Sequence, residues 1–188
     1  MKKRIVVGIS GASGVIYGIE FLRMLPRDEI EIHLVLSDAG RINIGLETEY
    51  QTKDVEKMAD CVYNNRNLAA AISSGSFLTD GMVIVPCSIK TLSGIANSYT
   101  DNLLVRAADV TLKEKRKLIL AIRETPLHKG HLQLMVQAAD LGAHILPPIP
   151  SFYHNPKTIE DVIHQSIGKM FDYLQIEHKL FERWKSPV

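Results

Sequence analysis

Short apolar runs alternate with amphipathic stretches along the whole chain. Ile5–Ile9 is a β-branched run that ends in a glycine turn. Tyr17–Leu25 then carries apolar residues at helical spacing, with Ile19, Phe21, Leu22 and Leu25 before the stop at Pro26. Glu31–Leu36 predicts a second strand and Asp38–Glu47 a helix. Thr52 is placed to cap a helix through Ala59, with Asp54 in its first turn. Gly81–Val85 predicts a third strand ended by Pro86, and Leu118–Ile122 and His144–Leu146 two more. Between them Ile89–Asn97, Asn102–Lys113 and His131–Leu141 predict helices. A last amphipathic helix is predicted over Thr158–Leu174, with Ile159, Val162, Ile163, Ile167, Met170, Phe171 and Leu174 on one side.

Strands that are apolar on both faces and alternate with helices imply an α/β fold whose parallel sheet is covered on both sides. The strand C-terminal ends then share one edge, where such sheets bind ligands. Every unusual loop follows a strand: Ser10–Gly14, Ser37, Pro86–Thr91, Arg123–Thr125 and Pro147–Tyr153. With 188 residues and 46% hydrophobic content, one domain spanning 1–188 is expected. Basic and acidic residues nearly balance, 22 against 21, so a nucleic-acid partner is not expected. The apolar run after Met1-Lys2-Lys3-Arg4 is too short for a signal peptide, and no stretch suits a membrane span. Cys61 and Cys87 lie far apart and read as reduced thiols of a cytoplasmic protein. The histidines are scattered, His128 and His131 being the one close pair, so no metal is expected.

Candidate chemistry sits in three loops. Gly11-Ala12-Ser13-Gly14 lets the backbone turn tightly and a ligand approach, and the helix start behind it suits a phosphate. The Gly-x-x-Gly-x-x-Gly spacing from Gly8 is not the dinucleotide fingerprint, and the second strand ends at Ser37 rather than at a carboxylate. The bland alternative for this loop alone is a tight turn with no ligand, since glycine loops are common in this fold class. Pro86-Cys87-Ser88-Ile89-Lys90-Thr91 is a hydroxyl-rich turn into a helix, able to hold a phosphate or a flavin edge, or simply a cap at Ser88. Cys87 reads as a small buried hydrophobe. Arg123-Glu124-Thr125-Pro126 sets a cation beside a carboxylate directly after a strand, an acid–base candidate or a surface ion pair. Arg106 and Lys113 share a helix face as a candidate phosphate pair.

Together with Ser73-Ser74-Gly75-Ser76-Phe77, Arg106-Ala107-Ala108-Asp109, Leu112-Lys113-Glu114, Pro147-Pro148 and Phe152-Tyr153-His154, these motifs run in order from about Arg4 to Trp184 and resemble the UbiX family. That resemblance implies a three-layer, flavodoxin-like Rossmann fold. It implies a metal-independent flavin prenyltransferase that joins the isoprenyl unit of dimethylallyl phosphate to reduced FMN, and a prenylated FMN product used by UbiD-type decarboxylases. A dodecamer with sites at subunit interfaces and a place in ubiquinone biosynthesis belong to the same expectation. By position, Gly11, Ala12, Ser13, Ser37, Ser88, Ile89, Lys90, Thr91 and Arg123 would contact FMN. Arg106, Lys113, Arg123, Tyr153 and Lys169 would surround the donor phosphate, and Ser13, Glu47 and Glu124 would handle protons. Lys169 departs from the Arg that many members carry; it keeps the charge without the two-pronged geometry. The tail from about 175 to 188, with Phe181 and Trp184, is expected at a subunit contact or lid. Two rivals stand beside this reading. An FMN-dependent cysteine decarboxylase would need an early catalytic His and a Pro-Ala-Ser-Ala-Asn-Thr loop where Pro86–Thr91 stands, and a non-catalytic flavin carrier would need neither Glu47, Glu124 nor the basic pair.

Overall fold

The computed structural model describes residues 2–184. Its strands are β1 (Lys3–Ile9), β2 (Ile30–Leu36), β3 (Cys61–Asn64), β4 (Gly81–Cys87), β5 (Lys117–Ile122) and β6 (His144–Ile145). They form one sheet in the order β3-β2-β1-β4-β5-β6, every pair parallel. This is the doubly wound order, which reverses direction between β1 and β4 and opens a crevice there at the strand C-terminal ends.

Side-chain alternation along the strands divides the core into two layers. Ile5, Val7 and Ile9 of β1 point into one, with Ile19, Phe21 and Leu22 of α1 (Val15–Met24) and Ile167, Met170 and Phe171 of α7 (Ile159–Leu174). Val6 points into the other, with Leu92 of α4 (Ile89–Ala96), Leu104 and Ala108 of α5 (Leu103–Lys113) and Ala138 of α6 (Lys129–Asp140). The first layer is knitted by Phe21 edge-on to Phe171, ring centroids 5.1 Å apart. Helix α7 starts at a capping box, Thr158 and Asp161 each accepting a backbone N–H of the other. Helix α2 (Asp38–Glu47) has the predicted bounds.

Several expectations change. Pro86 does not end β4: the strand runs to Cys87 across a cis Val85–Pro86 peptide, and the ladder to β5 shifts between Ile84 and Cys87. The Pro86 carbonyl is used instead by Ser10, whose N–H and hydroxyl both donate to it. Helix α3 (Thr52–Glu56) stops before Ala59, and Gln51 is its N-cap, so Thr52 lies inside the first turn and caps nothing. Strand β3 was not anticipated; it is short, at the sheet edge, and alternates half-buried with exposed residues. In the tail, Phe181 is half-buried against Gly168 and His178 rather than exposed. Trp184 is exposed as expected, and 185–188 lie outside the described residues. No helix among the described residues is long and apolar enough to cross a membrane.

Because Phe171 is 1% exposed and joins α7 to α1, Phe171→Ala is expected to cost roughly 3–5 kcal/mol of folding stability, measured by urea denaturation.

Candidate active site

A cavity of about 1060 Å³ opens in the crevice between β1 and β4. Gly11, Ser37, Asp38, Ala39, Ser88–Thr91 and Glu124 line it, together with Asn65, Arg66, Asn97, Tyr99, Asp101 and Asn102. Helices α1, α2, α4 and α5 all begin beside it, and each brings first-turn N–H groups with no partner inside the helix.

Those N–H groups are treated unequally. At α1, Gly14 adopts φ +92°, a conformation natural to glycine. The Glu47 carboxylate then accepts from Gly14 N–H at 2.7 Å and Val15 N–H at 3.3 Å. At α5, Asn65 takes Leu103 N–H on its carbonyl (2.8 Å) and Leu104 N–H on its side-chain oxygen (2.9 Å), and Asn102 takes Val105 N–H (3.1 Å). At α2 and α4, Ser37 and Ser88 accept only from Gly40 and Thr91. The N–H groups of Asp38, Ala39, Ile89 and Lys90 find no acceptor among the described residues. At the start of α1 a carboxylate therefore occupies the free N–H groups, and the helix starts whose N–H groups stay unsatisfied are those of α2 and α4. Lys90 adds a positive charge on the same wall.

The glycine loop is held from three sides. Asn43 donates to the Ala12 carbonyl (3.1 Å), Arg123 Nε donates to the Ser13 carbonyl (3.3 Å), and Glu47 anchors Gly14. Gly11 lies so close to α2 that a Cβ on it would sit 2.3 Å from the Ala39 methyl. Arg123 also lies by Tyr17, whose phenol is pushed up by burial and drawn part-way back by the guanidinium. Cys87 is fully buried, which pushes its thiol well above the ordinary range and makes it the small hydrophobe expected.

A model of the Flavoprotein family matches residues 1–184. The flavin prenyltransferase UbiX of Salmonella typhimurium is 56% identical over 186 residues, covering 97% of this chain and 98% of that protein. The chain belongs to the UbiX flavin prenyltransferase family. The crystal structure of AnUbiX (PadA1) in complex with FMN and dimethylallyl pyrophosphate matches this UbiX-family chain at TM-score 0.97 and 45% identity, with all of both chains covered. The dodecameric FMN-dependent UbiX-like decarboxylase from Escherichia coli O157:H7 matches at TM-score 0.93 and 44% identity, over 97% of this chain and all of that one.

Within this UbiX-family subunit the two predicted residue sets part company. Gly11, Ser37, Ser88, Ile89, Lys90, Thr91 and Glu124 share the cavity wall, with Ala12, Ser13, Arg123 and Glu47 tied into the adjoining loop. Of the donor-phosphate set, only Arg123 is tied to that loop, and it does not itself line the cavity. Arg106 binds the Ser73 carbonyl and Asp109, Lys113 pairs with Glu114, and Lys169 lies 3.9 Å from Asp172. Tyr153 is exposed, edge-on to Trp184. None of these four lines the cavity. Sequence reasoning missed Asn65, Arg66, Asn97, Tyr99 and Asn102, which follow no apolar strand in a recognisable motif.

Glu47→Ala leaves Gly14 and Val15 N–H without their acceptor. It is expected to lower stability by about 1 kcal/mol in urea denaturation and to weaken flavin binding in a fluorescence-quenching titration.

Proposed function

We propose that this chain is a metal-independent prenyltransferase that joins the dimethylallyl group of dimethylallyl phosphate to reduced FMN. The product, prenylated FMN, would serve a UbiD-type decarboxylase, with ubiquinone biosynthesis as the setting. The observation that carries this reading is the cavity at the β1/β4 crevice, with the free N–H groups of α2 and α4 on its wall and Glu124 at its rim. Its support from kinship is the closely matching AnUbiX structure, which holds both FMN and dimethylallyl pyrophosphate.

The reduced flavin supplies the nucleophile when bound, and the donor's phosphate is the leaving group. In this reading the flavin is a substrate, alkylated and released. The flavin's own phosphate is assigned to the starts of α2 and α4 at Ser37 and Ser88–Thr91, with Lys90 balancing its charge. Gly11, Ala12 and Ser13 offer backbone to the ring, and Arg123 fixes that backbone through Ser13. Arg106, Lys113, Arg123, Tyr153 and Lys169 are assigned to the donor phosphate, where preorganised cations stabilise the charge developing on the leaving group. None of the five lines the cavity of its own subunit, and only Arg123 is tied to the adjoining loop, so the site is completed by neighbouring copies, and a dodecamer is the assembly proposed. Exposed Leu132 and Val136 on α6 and Ile42 and Leu46 on α2 supply apolar area for such contacts. The tail from about 175, with exposed Trp184 against Tyr153, belongs to one of them.

Glu124, exposed on the cavity wall, is assigned the proton for the departing phosphate. Glu47 holds Gly14 and Val15 as a two-fold acceptor, so its first effect is to position Ser13 between them and Ala12. Any relay between Ser13 and Glu47 uses the same carboxylate. A cytoplasmic setting accords with the two free cysteines.

Protein, reduced FMN and dimethylallyl phosphate are mixed without oxygen and the released flavin is weighed by mass spectrometry. A gain of one isoprenyl unit is expected; unaltered FMN overturns the assignment and leaves a flavin carrier. Glu124→Gln is expected to keep flavin binding while turnover drops about 10²–10⁴-fold, and unchanged turnover would remove Glu124 from the proton path.

A further inference from the structure

A second group of polar side chains lies away from the flavin cavity, on the sheet face at its β2–β3 edge. β2 and β3 run parallel with His33 opposite Cys61 and Val35 opposite Tyr63. Alternation along each strand puts Glu31 and His33 on one face and brings Cys61 and Tyr63 to the same side. One ligand atom from each of Glu31, His33 and Cys61 lies within 4.8 Å of the others. No two of the three are closer in sequence than Glu31 and His33, and Cys61 comes 28 positions after His33, so no motif announces the cluster. We propose that Glu31, His33 and Cys61 form a binding site for a thiophilic divalent cation of the Zn²⁺ class, which fastens the edge strand β3 to β2.

The surroundings of each donor favour ligation. His33 is 1% exposed and held within the strand pair. Its Nδ1 lies 2.9 Å from the Tyr63 hydroxyl and its Nε2 3.0 Å from Glu31 Oε1. Without a metal, Nε2–H donates to Glu31 Oε1 and the Tyr63 hydroxyl donates to Nδ1; a bound cation would take the place of the Nε2 proton, with His33 carrying its proton on Nδ1 towards the Tyr63 oxygen. A ligating histidine oriented through its other ring nitrogen is the usual outer-shell arrangement at zinc. Arg4 Nε donates to Glu31 Oε2 at 3.1 Å, which fixes the carboxylate and leaves Oε1 turned to His33. Phe77 packs edge-on against His33 and under Arg4, closing that side.

One thiolate, one imidazole and one carboxylate suit Zn²⁺ and not Mg²⁺ or Ca²⁺, which take oxygen donors. Tetrahedral zinc wants its ligand atoms roughly 3.3–3.8 Å apart, from bonds of about 2.0–2.3 Å. His33 Nε2 and Glu31 Oε1 already lie 3.0 Å apart, so the half-buried Cys61 side chain has the larger adjustment to make, and the partial exposure of Glu31 and Cys61 leaves water as the fourth ligand. The two anionic ligands balance a divalent charge. None of the three lines the flavin cavity, so this site is independent of the prenyl-transfer reading.

The test uses the full-length protein, stripped with chelator and titrated with Co²⁺ as the spectroscopic substitute for Zn²⁺. One equivalent per chain is expected, with a thiolate-to-cobalt charge-transfer band in the near ultraviolet that Zn²⁺ abolishes. Cys87 is buried beyond reach, so Cys61→Ser is expected to remove the band. Cys61→Ser and Glu31→Gln should each weaken Zn²⁺ binding at least tenfold, and Zn²⁺ should raise the melting temperature of the parent protein but not of Cys61→Ser. Unchanged flavin binding certifies that the variants are folded. Absence of the band in the parent protein, or Zn²⁺ affinity equal in parent and both variants, overturns the site.

Discussion

The supply of unpaired backbone N–H groups at the C-terminal rim of a parallel sheet governs this molecule. Helices that begin there carry positive ends and donors that their own turns cannot satisfy. The chain spends side chains on two of the four beside the cavity: Glu47 closes α1, and Asn65 with Asn102 closes α5. The starts of α2 and α4 keep theirs, on either side of the β1/β4 crevice. That partition leaves free donors for an anion at α2 and α4, and it leaves the Gly11–Gly14 backbone held by Asn43, Arg123 and Glu47.

The second division is between the subunit and its assembly. Lys113 and Lys169 spend their charge in surface ion pairs, with 47% and 53% of their side chains exposed, and Arg106 in a half-buried one with Asp109. Exposed pairs of this kind contribute only about 0–1 kcal/mol. Exchanging such partners for a phosphate dianion costs little, so residues that look merely solvated in one copy suit a site shared between copies. Lys169 offers a compact, mobile charge where arginine would offer a rigid fork.

Much of this architecture was legible in the sequence. Strands buried on both faces show as unbroken apolar runs, so β1, β2, β4 and β5 read clearly, and the loops that follow them mark the site. Ser37 and Ser88 were legible because a hydroxyl between strand and helix is a cap signal. The edge strand β3 was not, since its exposed residues dilute the apolar pattern. Pro86 misled because a residue with no N–H still offers a carbonyl, which Ser10 uses. Asn65 was invisible for a related reason: its work is to accept from Leu103 and Leu104, far along the chain, and long-range capping leaves no local periodicity. Glu47 entered only through family resemblance, and the structure gives it a physical task at the start of α1.

The most direct test of the anchoring account compares FMN with riboflavin, which differs by the phosphate alone, in calorimetric titrations under identical salt. Charge-assisted hydrogen bonds contribute about 1.5–3 kcal/mol each. Two or more of them at α2 and α4 predict FMN binding at least about 100-fold tighter than riboflavin. Equal affinities would contradict the claim that these two helix starts hold the ligand.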